Sequence, residues 1–139
     1  EPGTPAGFER IRMIREVGIS LEAHVAAPCP HGRACPMPAK DWCHFSSRVS
    51  RSRLHRQVKS GELGYEDEKF AYVALSRMPV EPIAGRVVRH PWTGKGHIRM
   101  EVCGPDGIST RTVTRKDKAE FKQAKDLEWG SAISRMDGI

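Results

Sequence analysis

A chain of 139 residues that is 38% hydrophobic and 29% charged is one domain's worth with a modest core, and its net charge of +6 favours an anionic partner, nucleic acid first. No run of eighteen apolar residues is present, which excludes a membrane-spanning helix. The opening EPGTPAGFER is polar and turn-forming, without signal-peptide character or an initiator methionine, so the chain is expected to be a piece of a longer protein.

Thr4 followed by Pro5 predicts a helix start, a hydroxyl cap and then a proline pre-set for the first turn. Phe8, Ile11 and Ile14 at helical spacing carry that helix from about residue 5 to 17, and Gly18 is expected to stop it. The apolar run AHVAA reads as a short buried strand leading straight into Cys29, and four prolines between Pro28 and Pro38 make the next stretch a rigid loop. CHFSSRVSRSRLHRQVKSG is expected to be helical up to Gly61, with a sparse apolar stripe of Val49, Leu54 and Val58. KFAYVALSR reads as an interior strand, apolar on both faces. A meander follows through GRVVRH, the turn PWTGKG, HIRMEVC, the turn GPDG and ISTRTVT. Asp117 then caps a last helix through KAEFKQAKDLEW, which Gly130 ends.

Residues 26–45, AAPCPHGRACPMPAKDWCHF, hold three of the four cysteines, and Cys103 completes the pattern C-x5-C-x7-C-x59-C. Zinc ribbons use two-residue gaps, because one tight turn then presents both thiolates to a tetrahedral ion, and neither local gap here is two. Longer, proline-stiffened gaps suit a larger cluster whose corner irons take thiolates from several directions, and the Cys29-Pro30 and Cys35-Pro36 steps echo ferredoxin ligand runs. Three alternatives stay open on spacing alone: zinc on the four thiols, zinc on three of them with His31 or His44, and four buried free thiols. A Cys43–His44 nucleophile pair is disfavoured because adjacent residues rarely face each other. No other hydrolase or protease motif is present.

The segments APCPHGRACPMPAKDWCHFSSRVSRSRLHRQVKSGELGYEDEKFAYVALSR and RHPWTGKGHIRMEVCGPDG resemble the methyltransferase-like small-ribosomal-subunit assembly proteins, found in bacteria and mitochondria. The resemblance covers nearly the whole chain and all four cysteines in order. It implies a four-iron, four-sulfur cluster on Cys29, Cys35, Cys43 and Cys103, with no catalytic residue in this chain. It also implies an α/β fold, the C-terminal part of a class I S-adenosylmethionine-dependent methyltransferase with a metal-stapled loop and a small antiparallel meander. In that scheme AHVAA and an antiparallel KFAYVALSR are the final two strands. Residues 1–84 would hold the methyltransferase-like strands and helices with the cysteine-rich insertion, and 85–139 the basic meander and last helix. The glycine-rich loop and acidic residue that bind S-adenosylmethionine are absent from the chain, so methyl transfer and cofactor binding are expected only with a missing N-terminal half. GKGHIR sits in a hairpin and is a turn.

Two basic surfaces suit RNA. Arg48, Arg51, Arg53, Arg56 and Lys59 are expected along the second helix with no acid among them, placed to grip phosphates. Arg89, Trp92, Lys95 and Arg99 surround the hairpin PWTGKG, where an aromatic at a loop tip between cations suits an unpaired base. Acidic GYEDEKF is expected to salt-bridge the basic segment before it. The expected role is an RNA-binding, cluster-bearing part of a factor in small-subunit biogenesis and translation. Its partners would be small-subunit ribosomal RNA, ribosomal proteins and the missing half, without a membrane. The bacterial cytoplasm or, alternatively, the mitochondrial matrix would be its compartment. A full-length rRNA methyltransferase and a zinc-stabilised protein-interaction module are the rival readings.

Overall fold

Thr4 caps α1 (Pro5–Ser20) as its sequence requires: the hydroxyl accepts a hydrogen bond from the Gly7 amide at 3.1 Å. The computed structural model describes residues 1–134, so the end of the expected 85–139 unit, 135–139, lies outside the described residues. Two expectations for α1 need correction. The helix runs through Gly18 and ends at Leu21, because Gly18 is a notch in which a methyl would collide with the Leu75 side chain. The buried stripe is Phe8, Arg15 and Gly18, while Ile14 is 51% exposed.

β1 (His24–Ala27) forms where AHVAA predicts a strand, and the proline-rich stretch after it has no regular structure. The expected long basic helix does not form. Its first half is β2 (Phe45–Ser50), and only Arg53–Val58 is helical, as α2. β2 pairs antiparallel with β3 (Tyr65–Phe70), placing Arg48 opposite Asp67, Val49 opposite Glu66 and Phe45 opposite Phe70. Cross-strand charge complementarity thus outweighs helix propensity here. KFAYVALSR is likewise not one strand. It breaks after Phe70, and β4 (Ala74–Ser76) pairs antiparallel with β1 in a separate two-stranded sheet.

The meander forms as expected except in PWTGKG, where Trp92–Gly94 is a strand and only Lys95 and Gly96 turn, so Trp92 stands within a strand and not at the loop tip. β7 (His97–Gly104) is its centre, paired over its whole length with β8 (Gly107–Thr114). Along its other edge, successive parts of β7 pair with β6 (Trp92–Gly94) and β5 (Gly85–Val87). The last helix is shorter than expected: α3 (Lys118–Ala124) keeps the Asp117 cap, but the chain then turns, and β9 (Ala132–Ile133) adds to β5. All paired strands among the described residues are antiparallel, giving a mixed α/β fold.

Alternation along β7 builds two cores. Ile98, Met100 and Val102 point to one face and pack with Val87, Val113, Phe121, Ala124 and Ile133, joining the sheet to α3. Cys103, of opposite parity, belongs to the other face, as does its cross-strand partner Ile108. There a second core of Phe8, Met37 and Ala71 is joined by Cys35, Trp42, Cys43 and Ile108. The cysteine-rich loop, α1 and the sheet therefore meet on that second face.

Candidate metal centre and cationic surface

The three cysteines of residues 26–45 and the distant Cys103 line one cavity of about 40 Å³. Cys29 arrives at the end of β1, Cys35 and Cys43 from the proline-rich loop, and Cys103 from β7. The other walls are apolar, with Phe8, Met37, Phe45, Ala71, Val88 and Ile108 among them, and Arg15 is the one deeply buried charge at the wall. All four sulfurs are free thiols. Among the described residues no group of three or more His, Cys, Asp or Glu is arranged to hold a metal ion.

Burial governs the thiols. It pushes Cys43 up to about 12, and the neighbouring Cys29, Cys35 and Cys103 sulfurs push it further the same way. Cys103 is pushed up to about 12 by burial and then by Cys29 and Cys35. Burial also raises Cys29, but there the charge of Arg15 pulls in the opposite direction. Burial therefore favours the protonated form at Cys29, Cys43 and Cys103 unless positive charge enters among them.

Neither histidine of the loop lines the cavity. His44 is held in an aromatic cluster, its ring 5.2 Å from that of Trp42 and 4.9 Å from that of Trp129, with Nδ1 3.1 Å from the Trp42 carbonyl. Both ring nitrogens of His31 are buried without a partner.

The basic residues divide into spent and available cations. Arg48 forms a two-pronged ion pair with Asp67, at 2.8 and 3.1 Å. Glu66 collects Arg51 at 2.7 Å, His55 at 3.0 Å and Lys59 at 3.2 Å. The acidic GYEDEKF stretch thus neutralises the basic segment before it, as its sequence suggests, but across two strands. Arg89 pairs with Asp41 at 2.5 Å. Among the described residues Arg53, Arg56, Lys95 and Arg99 make no ion pair; Lys95 and Arg99 are exposed on the hairpin. Trp92 is 53% exposed, backed on one side by His97 at 5.0 Å, with Arg99 5.8 Å from its ring centre. Arg89, His90, Trp92, Arg99, Glu101 and Thr110 flank an open cleft of about 330 Å³ beside it.

Sequence reasoning missed Arg15 and placed Arg86 only in the basic surface around the hairpin. Arg86 donates to the Pro28 carbonyl at 2.8 Å and the Gly130 carbonyl at 2.9 Å, bracing the strand that delivers Cys29. A usable signal existed for Arg15, which stands seven residues after Phe8 and therefore on the inner stripe of its helix.

Residues 1–134 match the family model described as mitochondrial small ribosomal subunit Rsm22. The chain belongs to that family. It is also similar to two curated proteins of Schizosaccharomyces pombe, the mitochondrial Rsm22-cox11 tandem proteins 1 and 2, each 22% identical over 174 aligned positions covering 94% of this chain and 23% of the relative. The chain therefore spans about a quarter of the length of these curated relatives.

Proposed function

We propose that this Rsm22-family chain is the cluster-bearing, RNA-facing part of a factor acting in assembly or translation of the small ribosomal subunit. Cys29, Cys35, Cys43 and Cys103 would hold one four-iron, four-sulfur cluster. The observation that carries the reading is that three cysteines of one short proline-rich segment and the distant Cys103 line one buried apolar cavity. The donor set suits such a group: all sulfur, arriving from different directions, with a buried arginine nitrogen beside it that lacks a partner. Zinc on three thiols and a histidine is disfavoured, because neither His31 nor His44 lines the cavity. When bound, the cluster would supply a covalent staple between loop and sheet, and the chain's own residues exclude water from it and orient the thiols.

With four thiolate ligands the site would be structural and not catalytic. The fold reading extends this. β1 and β4 would be the last strands of a class I methyltransferase fold, and exposed Met13, Ile14, Val17 and Leu21 on α1 would pack against its remainder. S-adenosylmethionine would bind that remainder, and any rRNA methyl transfer would belong to the full-length form. The RNA-facing surface centres on Trp92, Lys95 and Arg99, with Arg53 and Arg56 on α2. Arg48, Arg51, Lys59 and Arg89 would reach phosphate only by leaving their carboxylates. The mitochondrial names of the family and of the yeast proteins favour the mitochondrial matrix over a bacterial cytoplasm. Anaerobic purification followed by iron, acid-labile sulfide and zinc analysis tests the centre. About four irons with matching sulfide are expected; one zinc without sulfide would overturn the cluster.

A further inference from the structure

Arg15 is 3% exposed, inside a helix whose neighbouring turns expose Ile14 and Val17. An arginine held this deep is costly unless an anion meets it. None does among the described residues: Nη2 donates to the carbonyls of His31 at 2.9 Å and Arg33 at 2.6 Å, and Nε is buried without a partner. The side chain lines the cavity that the four cysteines share, and its charge is felt at Cys29 and Cys103. Neutral thiols, Cys29 among them, are only weak acceptors and do little to offset the desolvation of a guanidinium. Four thiolates around an iron–sulfur core offset it, because they outweigh the positive charge of the core and leave the bound group negative.

We infer that Arg15 is the built-in counter-charge of the thiolate-bound group: fixed by the His31 and Arg33 carbonyls, its guanidinium stabilises the negative cluster and raises its reduction potential. This inference rests on the cluster reading given above. Reduction adds one electron, and so one more negative charge, to the cluster without breaking a bond, so a buried cation at its edge favours the reduced form. Arg86 adds a weaker positive field at Cys29, and Arg89, which already shares its charge with Asp41, adds one at Cys43. A simpler role for Arg15, pinning the ligand loop to α1 through two carbonyls, needs hydrogen-bond donors but no charge.

R15Q and R15K separate the two roles, since glutamine keeps a donor and loses the charge while lysine keeps both. The full-length protein and each variant are purified anaerobically, assayed for iron and sulfide, and titrated with dithionite while the reduced cluster is followed by electron paramagnetic resonance. R15Q should shift the reduction equilibrium at least tenfold towards the oxidised form, about 59 mV more negative for a one-electron couple. R15K should stay within about threefold of the unaltered protein, less than half of that shift on the same scale. An unmoved R15Q, or an R15K displaced as far as R15Q, overturns the counter-charge. Should R15Q not yield soluble protein, Arg15→citrulline, which keeps the donors and the shape but loses the charge, takes its place: a tenfold displacement towards the oxidised form supports the inference and an unmoved potential overturns it. Unaltered protein without acid-labile sulfide overturns the cluster reading and this inference together, whereas sulfide with an unmoved R15Q potential overturns only the role of Arg15.

Discussion

Replacing Cys103 with alanine should unstaple the sheet from the cysteine-rich loop. The segment from Cys43 to Cys103 is about 60 residues long, and a covalent closure of that length restricts the unfolded chain by about 4 kcal/mol. Domains of this size are stable by roughly 5 to 15 kcal/mol in all, so the loss is a large share. It corresponds to a fall in melting temperature of about 15 °C. The lost sulfur itself accounts for little: Cys103 is buried, but removing one methylene-sized group costs about 1 kcal/mol. The two contributions part when the centre is stripped. Melts followed by circular dichroism, on anaerobic loaded protein and on chelator-treated protein, should show the full loss only in the loaded pair. An equal drop with and without the bound group would refute the staple and leave Cys103 as an ordinary core residue.

Three further outcomes are expected. The hydrogen bond from Arg51, helped by Lys59 and opposed by partial burial, brings the Glu66 carboxyl down to about 2, from an ordinary 4.5. Its folded value is depressed, so its contribution is complete above 4.5 and disappears as pH falls to about 2; the stability gap between E66Q and unaltered protein should close over that window, and a gap unchanged at the acid end would rule the network out. Gly7→Ala should destabilise by about 1 to 3 kcal/mol, because the new methyl would run into the Pro2 carbonyl oxygen; an unchanged urea midpoint would contradict this. Trp92→Ala should cost about 1 to 3 kcal/mol of affinity for RNA with an unpaired base, whereas removing Arg53 and Arg56 should weaken all RNAs alike and flatten the salt dependence. Filter binding that registers neither change would make both patches ordinary solvated surface.

Local signals survived the passage from sequence to fold, and non-local ones did not. The Thr4 and Asp117 caps are each settled within a few residues, and both form. The β6–β7 and β7–β8 hairpins are set by short glycine-containing turns, and they too form. The segment after Cys43 was misread because helical spacing was counted within it alone. What decides its conformation stands some twenty residues on, where Asp67 meets Arg48 and Phe70 meets Phe45 across a strand pair. The inner stripe of α1 was misread for a related reason. Ile14 looks like core and Arg15 like surface until the cavity on the other side is known. The cysteine set was legible as four candidate ligands, but its meeting place depends on β7 turning Cys103 away from the α3 core, a matter of strand parity that spacing alone does not reveal.

That same strand couples the two surfaces of the proposed function. Arg99, opposite Trp92 in the hairpin, and Cys103 lie on one strand with equal parity, so they emerge on the same face about 14 Å apart. Between them stands Glu101, whose carbonyl accepts from the Val88 amide at 3.0 Å and keeps the sheet continuous from the Trp92 hairpin to the thiol cavity. Trp92 is held by short β6, by His97 and by Arg99 over its ring, too little for a stable two-stranded ribbon by itself. The far end of β7 is held by its pairing with β5 and β8 and by Val102 in the core, and in the proposed reading by the group bound at Cys103 as well. Without the proposed cluster, the cations of the hairpin would remain but their placement relative to α1 would be less firmly fixed. Binding of a folded RNA would weaken more than binding of a flexible single strand, because only the folded RNA needs several contacts in a rigid relation.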